Sequence, residues 1–186
     1  MSIVVYDLEF TTWEGARARG WSGPGEHREI VQIGAIRLDD SWDEVASLET
    51  LVRPRLNPVL SDYFVTLTGV TQAMVDARGV DFTTAQAQLA HFADGGLLLY
   101  ANGEDAEVLA ENCRLANVPP AIARDRFRNV RSQIASMAGQ SEINSCDLPA
   151  QFGFAIAGRD HDALADARAV AAAMRLARQR GLLNEA

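Results

Sequence analysis

Four carboxylates and one imidazole are the residues of this chain whose types and spacing could do chemistry. Asp7 and Glu9 stand near the end of an apolar N-terminal run, Asp105 lies in mid-chain, and His161 and Asp166 lie near the C-terminus. Carboxylate oxygens are the ligands that hard divalent cations prefer, and such cations activate water for attack on phosphate esters. An imidazole beside them can accept the proton that this water loses. The set therefore predicts a metal-dependent phosphodiester hydrolase.

Asp7 and Glu9 belong to a predicted strand that covers Ile3–Phe10. Side chains two residues apart on a strand share one face, which places these carboxylates about 6 to 7 Å apart along the backbone. Two buried acids at that distance repel each other and lose hydration, so a cation there would be stabilising. The alternative is that both acids lie beyond the strand end in solvent, because a D-x-E pair by itself is common.

Asp105 follows a predicted strand and stands in the first turn of a predicted helix. Ligands of open α/β sheets gather at such strand ends. The alternative is an acid that merely offsets the helix dipole, and Glu104 and Glu107 are neighbours of the same type.

His161 and Asp166 flank the start of the last predicted helix. If Asp162 caps that helix, Asp166 lies one turn in and His161 just before it, so both can face one opening. The alternative is a surface histidine followed by ordinary capping acids.

The order of the predicted elements is that of an α/β fold. Apolar and β-branched runs predict five strands, at Ile3–Phe10, Ile30–Leu38, 46–52, 97–101 and 126–130. Capping residues and breakers predict helices at 61–67, from Thr71, from Thr83 or Thr84 to about Ala93, at 105–116 and 132–137, from Ser145 or Asp147 to Gly153, and at 162–180. Three successive strands followed by alternating strands and helices predict a mixed sheet of about five strands covered by helices. Residues 13–29, rich in glycine and charge, predict a long loop at the mouth of the site.

Length and composition favour one compact domain over residues 1–186, because 186 residues with 48% hydrophobic content suffice for one sizeable core. A net charge of −8 argues against a protein that coats long duplexes, since a negative surface repels a polyanion. No apolar run is long enough to cross a bilayer, and Cys113 and Cys146 lack metal-site or redox spacing. These features predict a cytoplasmic protein that grips nucleic acid locally.

Together the three motifs resemble the DnaQ-like, or DEDDh, family of 3′→5′ exonucleases. That family carries D-x-E on the first strand, an aspartate after the fourth, and H-x-x-x-x-D at the last helix, and all five positions are filled here. The sister group with a tyrosine four residues before the final aspartate is excluded, because Asp162 stands there. The resemblance implies a ribonuclease H-like fold and two-metal hydrolysis, with Mg²⁺ or Mn²⁺, that releases nucleoside 5′-monophosphates.

The resemblance also implies a role for each member of the set. Asp7 is expected to bridge both ions, while Glu9 and Asp166 complete the more tightly held one. Asp105 is expected to hold the second ion, partly through water. His161 is expected to accept the proton of the attacking water.

A further stretch resembles exoribonucleases that trim the 3′ ends of small RNA, histone mRNA and ribosomal RNA. The matching segments are Arg53-Pro54, Leu60-Ser61-Asp62-Tyr63-Phe64 and Leu67-Thr68-Gly69-Val70-Thr71. This resemblance implies a single-stranded 3′ end as partner, with RNA favoured over DNA. Eukaryotic members often carry a separate RNA-binding domain, and no segment here is expected to form one.

Family resemblance places Phe10 and Thr11 beside the terminal base and sugar, with Leu67 as an apolar shelf opposite. Stacking on an aromatic ring tolerates any base, which suits trimming without sequence choice. The alternative is that Phe10 and Leu67 belong to the core. Separately, alternation along 124–128 would place three arginines on one strand face as a phosphate track, or else as the solvated face of an edge strand.

Two other functions remain open from the sequence. One is a 3′→5′ exonuclease directed at DNA. The other is a catalytically silent exonuclease-like module that binds a partner or a nucleic acid end.

Overall fold

One mixed sheet of five strands organises the computed structural model, which describes residues 2–182. The strands are β1 (Ile3–Phe10), β2 (Ile30–Leu38), β3 (Glu44–Leu51), β4 (Leu99–Ala101) and β5 (Phe127–Asn129). Their order across the sheet is β3-β2-β1-β4-β5. Strands β1, β2 and β3 pair antiparallel, whereas β4 and β5 run parallel to β1. This confirms the predicted mixed α/β sheet.

Seven α-helices cover the sheet within the described residues. They are α1 (Asp62–Thr68), α2 (Gln72–Arg78), α3 (Phe82–Phe92), α4 (Asp105–Ala116), α5 (Arg131–Met137), α6 (Leu148–Phe152) and α7 (Ala163–Gln179). None of these helices has both the length and the apolar character of a bilayer span.

The alternation of β1 decides which side of the sheet receives each of its side chains. Val4, Tyr6 and Leu8 pack into one cluster with residues of α3 and α4, whereas Ile3 and Val5 pack into another with residues of α5 and α7. Side chains two apart on a strand share a face. Residues 7 and 9 therefore continue the row that faces α7.

The predicted bounds of β1, β2 and α4 agree with the structure, and Ser61, Thr71 and Asp162 cap helices α1, α2 and α7 as predicted. The prediction that Thr83 or Thr84 begins the third helix is wrong. Asp81 caps α3, because its carboxylate accepts a hydrogen bond from the backbone N–H of Thr84.

The predicted arginine stripe over 124–128 is also wrong. Arg124–Arg126 form a 3₁₀ turn, and β5 begins only at Phe127, so the three arginines do not alternate along one strand. Arg126 instead donates to the backbone carbonyls of Ala93 and Leu97. These contacts hold Arg126 against the segment between α3 and β4, which the arginine spacing does not reveal.

Candidate active site

Asp7 and Glu9 project from β1 toward the N-terminal end of α7. Each of them is only 9% exposed. Asp7 stands opposite Gly34 of β2, and Glu9 stands opposite Gln32. These two β2 residues determine how closely α7 approaches the acids.

Gly34 lets the first turn of α7 contact the sheet. A Cβ at this position would lie 2.2 Å from both the carbonyl carbon of Ala163 and the backbone nitrogen of Leu164, so any side chain would push the helix away. Gln32 fixes the same turn, because its Oε1 accepts from the N–H of Ala163 at 3.1 Å and its Nε2 donates to Asp162 at 3.1 Å. Sequence reasoning did not identify either residue.

Asp166 lies one turn into α7 and is 5% exposed. Its carboxylate, that of Glu9 and a ring nitrogen of His161 lie within 4.8 Å of one another, a spacing that suits a shared cation. The structure thus brings together two segments separated by about 150 residues of chain, as the D-x-E and H-x-x-x-x-D motifs predict.

Asp105 begins α4, just beyond the end of β4. Burial raises the pKa of its carboxyl to about 6, while backbone N–H groups, including that of Leu8, and the charge of Arg131 oppose the rise. Because Leu8 lies between Asp7 and Glu9, this interaction places Asp105 beside the acids of β1.

The electrostatics of the β1 acids indicate that the four carboxylates lie close enough to raise one another's pKa values. Burial raises the pKa of Asp7 well above its usual range, and the charges of Asp105, Asp166 and Glu9 raise it further. Burial likewise raises the pKa of Glu9, followed by the charges of Asp166 and Asp105. Burial and further acids, led by Asp160, raise the pKa of Asp166 to about 7.

Three of these carboxylates have few hydrogen-bond donors, whereas Asp105 accepts from backbone N–H groups. Within the described part of the chain, Asp7 accepts one long hydrogen bond, from the Ser145 hydroxyl at 3.3 Å, and the side chains of Glu9 and Asp166 accept none. Clustered acids with raised pKa values and so few donors match the requirements of divalent cations, which would offset both repulsion and lost hydration.

His161 precedes the helix cap with a left-handed backbone, φ 58°, a conformation uncommon outside glycine. Burial lowers the pKa of its imidazole, against the raising effect of Asp160 and Asp147. Its Nε2 lies 3.7 Å from the sulfur of Cys146, whose thiol pKa burial raises to about 12. The neighbouring Arg159 donates to the carbonyls of Thr66 and Leu67, which ties this loop to the end of α1.

Residues 142–147 lie beside the pocket, although they belong to none of the sequence motifs. Asn102, at the end of β4, donates to the carbonyl of Ile143 at 2.9 Å and to the Ser145 hydroxyl at 3.4 Å. Ser145 in turn donates to Asp7. The polar residues at the predicted start of the helix that ends at Gly153 were the available signal, but without the fold nothing links them to β1.

The three residues expected to contact substrate differ in their surroundings. Phe10 and Leu67 are partly exposed, and the Phe10 ring packs edge-on against Trp21 of the 13–29 loop with centroids 5.5 Å apart. Thr11 is 3% exposed, and its hydroxyl donates to the carbonyl of His27 at 2.5 Å and accepts from the N–H of Glu29 at 3.0 Å. The Thr11 hydroxyl is therefore already used to fix the end of that loop.

A family model described as Exonuclease matches residues 4–174. The chain belongs to the exonuclease family. This confirms the DnaQ-like 3′→5′ exonuclease assignment drawn from the motifs. Among characterised relatives, ERI1 exoribonuclease 2 of Xenopus laevis is 33% identical over 75 residues, and its human counterpart is 33% identical over 76. Each match spans 40% of this chain but only 10% of the length of the relative.

Solved structures of exonucleases share the fold across almost the whole chain. The nuclease domain of 3′hExo, a DEDDh family member bound to rAMP, superposes with a TM-score of 0.81 at 22% identity, covering 99% of this chain and 96% of that one. A zinc-bound complex of E. coli ExoI with ssDNA superposes with a TM-score of 0.72 at 19% identity, covering 97% of this chain and 42% of that one. The predicted ribonuclease H-like architecture is confirmed.

Proposed function

We propose that this exonuclease-family chain forms one catalytic domain that shortens single-stranded nucleic acid from a free 3′ end. The reaction is hydrolysis of the terminal phosphodiester, with release of a nucleoside 5′-monophosphate. RNA is the favoured substrate, because the sequence is similar to that of ERI1 exoribonuclease 2 over 75 residues. The single observation that carries the proposal is the convergence of four carboxylates and His161 from three distant segments, where Asp7, Glu9 and Asp166 have few hydrogen-bond donors.

Asp7, Glu9, Asp105 and Asp166 are proposed as the residues that hold two divalent cations, Mg²⁺ or Mn²⁺. Such cations lower the pKa of a bound water and stabilise charge on the leaving oxygen. The oxygen-only ligand set suits these hard ions better than thiophilic ones. Each of the four side chains stands on a strand or in the first turn of a helix, which fixes its position.

His161 is proposed as the general base. Its lowered pKa keeps the imidazole neutral near pH 7, so it can accept a proton from the attacking water. The adjacent Asp160 and Asp147 stabilise the imidazolium that results. The helix cap at Asp162 and the contact of Arg159 with α1 hold the loop that carries this ring.

Phe10 and Leu67 are proposed to flank the terminal nucleotide, because both side chains are partly exposed. Phe10 also packs against the core cluster of Val4, Tyr6 and Leu8, so its exposed edge is the part proposed to contact the base. Arg28 lies over the rings of Phe10 and Trp21, at 6.0 and 5.7 Å from their centroids, which stabilises this aromatic surface. Thr11 is proposed to act through its backbone position, because its hydroxyl is engaged within the protein.

The test uses 5′-labelled RNA and DNA oligonucleotides of the same sequence, with Mg²⁺ or Mn²⁺ and with or without chelator. The expected result is a ladder that shortens from the 3′ end, requires the cation, and appears faster on RNA. A circular oligonucleotide is the control, because it has no 3′ end and must survive. Absence of cleavage on both linear substrates would favour a silent binding module, and faster shortening of DNA would assign the DNA-directed alternative.

A further inference from the structure

Arg17 and Arg131, from separate segments of the chain, both lie near the carboxylate of Glu142 at the protein surface. Oε2 of Glu142 lies 3.7 Å from Nη2 of Arg17 and 3.7 Å from Nη1 of Arg131. The side chains of Arg17 and Glu142 are 66% and 61% exposed. Exposed ion pairs of this length contribute little to stability, so a stronger anion can replace the carboxylate.

Arg131 lies beside Asp105. Its Nε donates to the carbonyl of Asn102 at 3.1 Å, which anchors the guanidinium at the end of β4. A Cβ added at Gly103 would meet Asp105 Oδ2 at 2.9 Å and Arg131 Nη2 at 3.0 Å, so the carboxylate and the guanidinium flank the same point of the backbone. The charge of Arg131 also lowers the pKa of Asp105.

Arg17 reaches the same edge from the 13–29 loop. Its Nη1 donates to Oδ1 of Asn144 at 3.0 Å, next to Ser145, which contacts Asp7. Its charge contributes to the lowered pKa of His161. The two guanidiniums therefore stand beside the carboxylate pocket, on the side formed by residues 142–147.

Arg17 and Arg131 each donate one hydrogen bond to the protein, but each lies 3.7 Å from its acidic partner Glu142, whereas three other arginines near this region have closer partners. Arg126 donates to backbone carbonyls, Arg124 pairs with Glu107, and Arg159 donates to the carbonyls of Thr66 and Leu67. A chain with a net charge of −8 needs local cations to hold a second phosphate. Arg17 and Arg131 supply two positive charges around Glu142.

We propose that Arg17 and Arg131 bind a backbone phosphate on the 5′ side of the scissile one, and that Glu142 occupies this subsite until the strand displaces it. The inference rests on the proposed exonuclease function and adds a second site, besides the carboxylate pocket, at which the protein contacts the strand. Guanidinium groups suit this task because they offer paired donors to phosphate oxygens. The subsite would hold the strand while its terminal phosphodiester lies in the carboxylate pocket.

The test compares two substrates: a single-stranded oligonucleotide, and the p-nitrophenyl ester of a nucleoside 5′-monophosphate, which has the scissile bond but no upstream phosphate. In Arg17→Ala the ratio of kcat/KM for the oligonucleotide to that for the ester is expected to fall about tenfold, through KM, as loss of a charge-assisted hydrogen bond predicts. In a plot of log KM against log salt concentration, the slope for this variant should be smaller by about 0.7, the value expected for one lost phosphate contact with a single strand. In Glu142→Gln, KM for the oligonucleotide is expected to decrease.

Arg175→Ala is the matched control, because it also removes an exposed arginine paired with an acid, Asp43, at the turn between β2 and β3. Its ratio should equal that of the wild type. A ratio within twofold of the wild type in Arg17→Ala, or a higher oligonucleotide KM in Glu142→Gln, would overturn the subsite while leaving the nuclease assignment intact. Hydrolysis of neither substrate by the wild type would overturn the proposed function as well.

Discussion

Glu29 and the β1 acids are buried to a similar extent, yet their surroundings are opposite. Glu29 is 5% exposed, and its two oxygens accept hydrogen bonds from the backbone N–H groups of Arg55, Leu56 and Asn57 and from the Asn57 side chain. Asp7 and Glu9 are 9% exposed and accept one long hydrogen bond between them within the described chain. A buried carboxylate surrounded by donors stabilises the fold, whereas clustered carboxylates without donors create a need for cations.

The contrast separates structural acids from functional ones without reference to motifs. The donors around Glu29 fix the turn that follows β3 and leads to α1, so this acid organises the protein. The acids of the pocket instead raise one another's pKa values. Four predictions test whether this difference has the consequences we assign to it.

The largest expected effect is that of Asp7→Asn on cleavage. Loss of this charge should reduce kcat/KM by about 10³-fold or more, because cations contribute several kcal/mol to phosphodiester hydrolysis. The same variant should be as stable as the wild type or more stable without metal, since a repulsive charge is removed. Oligonucleotide cleavage and thermal unfolding check both outcomes. Cleavage near the wild-type rate by folded variant would remove Asp7 from the mechanism.

His161→Gln should lower kcat by about 10²- to 10⁴-fold, the usual contribution of a general base. Cation affinity should persist, because the carboxylates alone are proposed to supply the ligands. Single-turnover kinetics and calorimetric titration with Mn²⁺ separate the two effects. Lost Mn²⁺ affinity would instead make His161 a ligand, which its spacing from Glu9 and Asp166 also permits.

Glu29→Gln is the variant to compare with Asp7→Asn, because it neutralises a buried carboxylate that is surrounded by donors. The new amide group would face backbone donors, so we expect a loss of about 2 kcal/mol in the free energy of unfolding and a fall in Tm of about 4 to 8 °C. Cleavage per folded molecule should persist. Differential scanning calorimetry and the oligonucleotide assay measure the two properties. An unchanged Tm would show that the donors around Glu29 do not need its charge.

The smallest expected effect is on the pH dependence of stability without metal. The folded-state pKa values of Asp105 and Asp166, about 6 and about 7, lie above those of the unfolded chain. A carboxyl whose pKa is raised by folding contributes stability below its unfolded pKa and loses it as pH rises through the folded value. Between pH 5 and 8 the Tm of the wild type should therefore fall more steeply than that of Asp166→Asn. Equal slopes would mean that folding does not raise the pKa of the Asp166 carboxyl.

The sequence predicted the sheet and all five residues that the structure gathers, because each stands within or directly beside a strongly patterned element. The D-x-E pair continues the inward row of β1, and Asp162 carries its own capping signal for α7. Gln32, Gly34 and Ser145 were missed because their roles depend on contacts between segments far apart in the chain. The arginine spacing over 124–128 misled because a local 3₁₀ turn replaced the expected strand, and Arg126 of that turn donates to the distant carbonyls of Ala93 and Leu97.

Titration of Mn²⁺ into the metal-free protein tests the central claim most directly. Calorimetry at pH 7.5 should show binding of two ions to the wild type, loss of that binding in Asp7→Asn, and its retention in folded Glu29→Gln. Mn²⁺ binding that survives in Asp7→Asn but disappears in Glu29→Gln would contradict the account, because the donor-rich acid would then be the one that requires a cation.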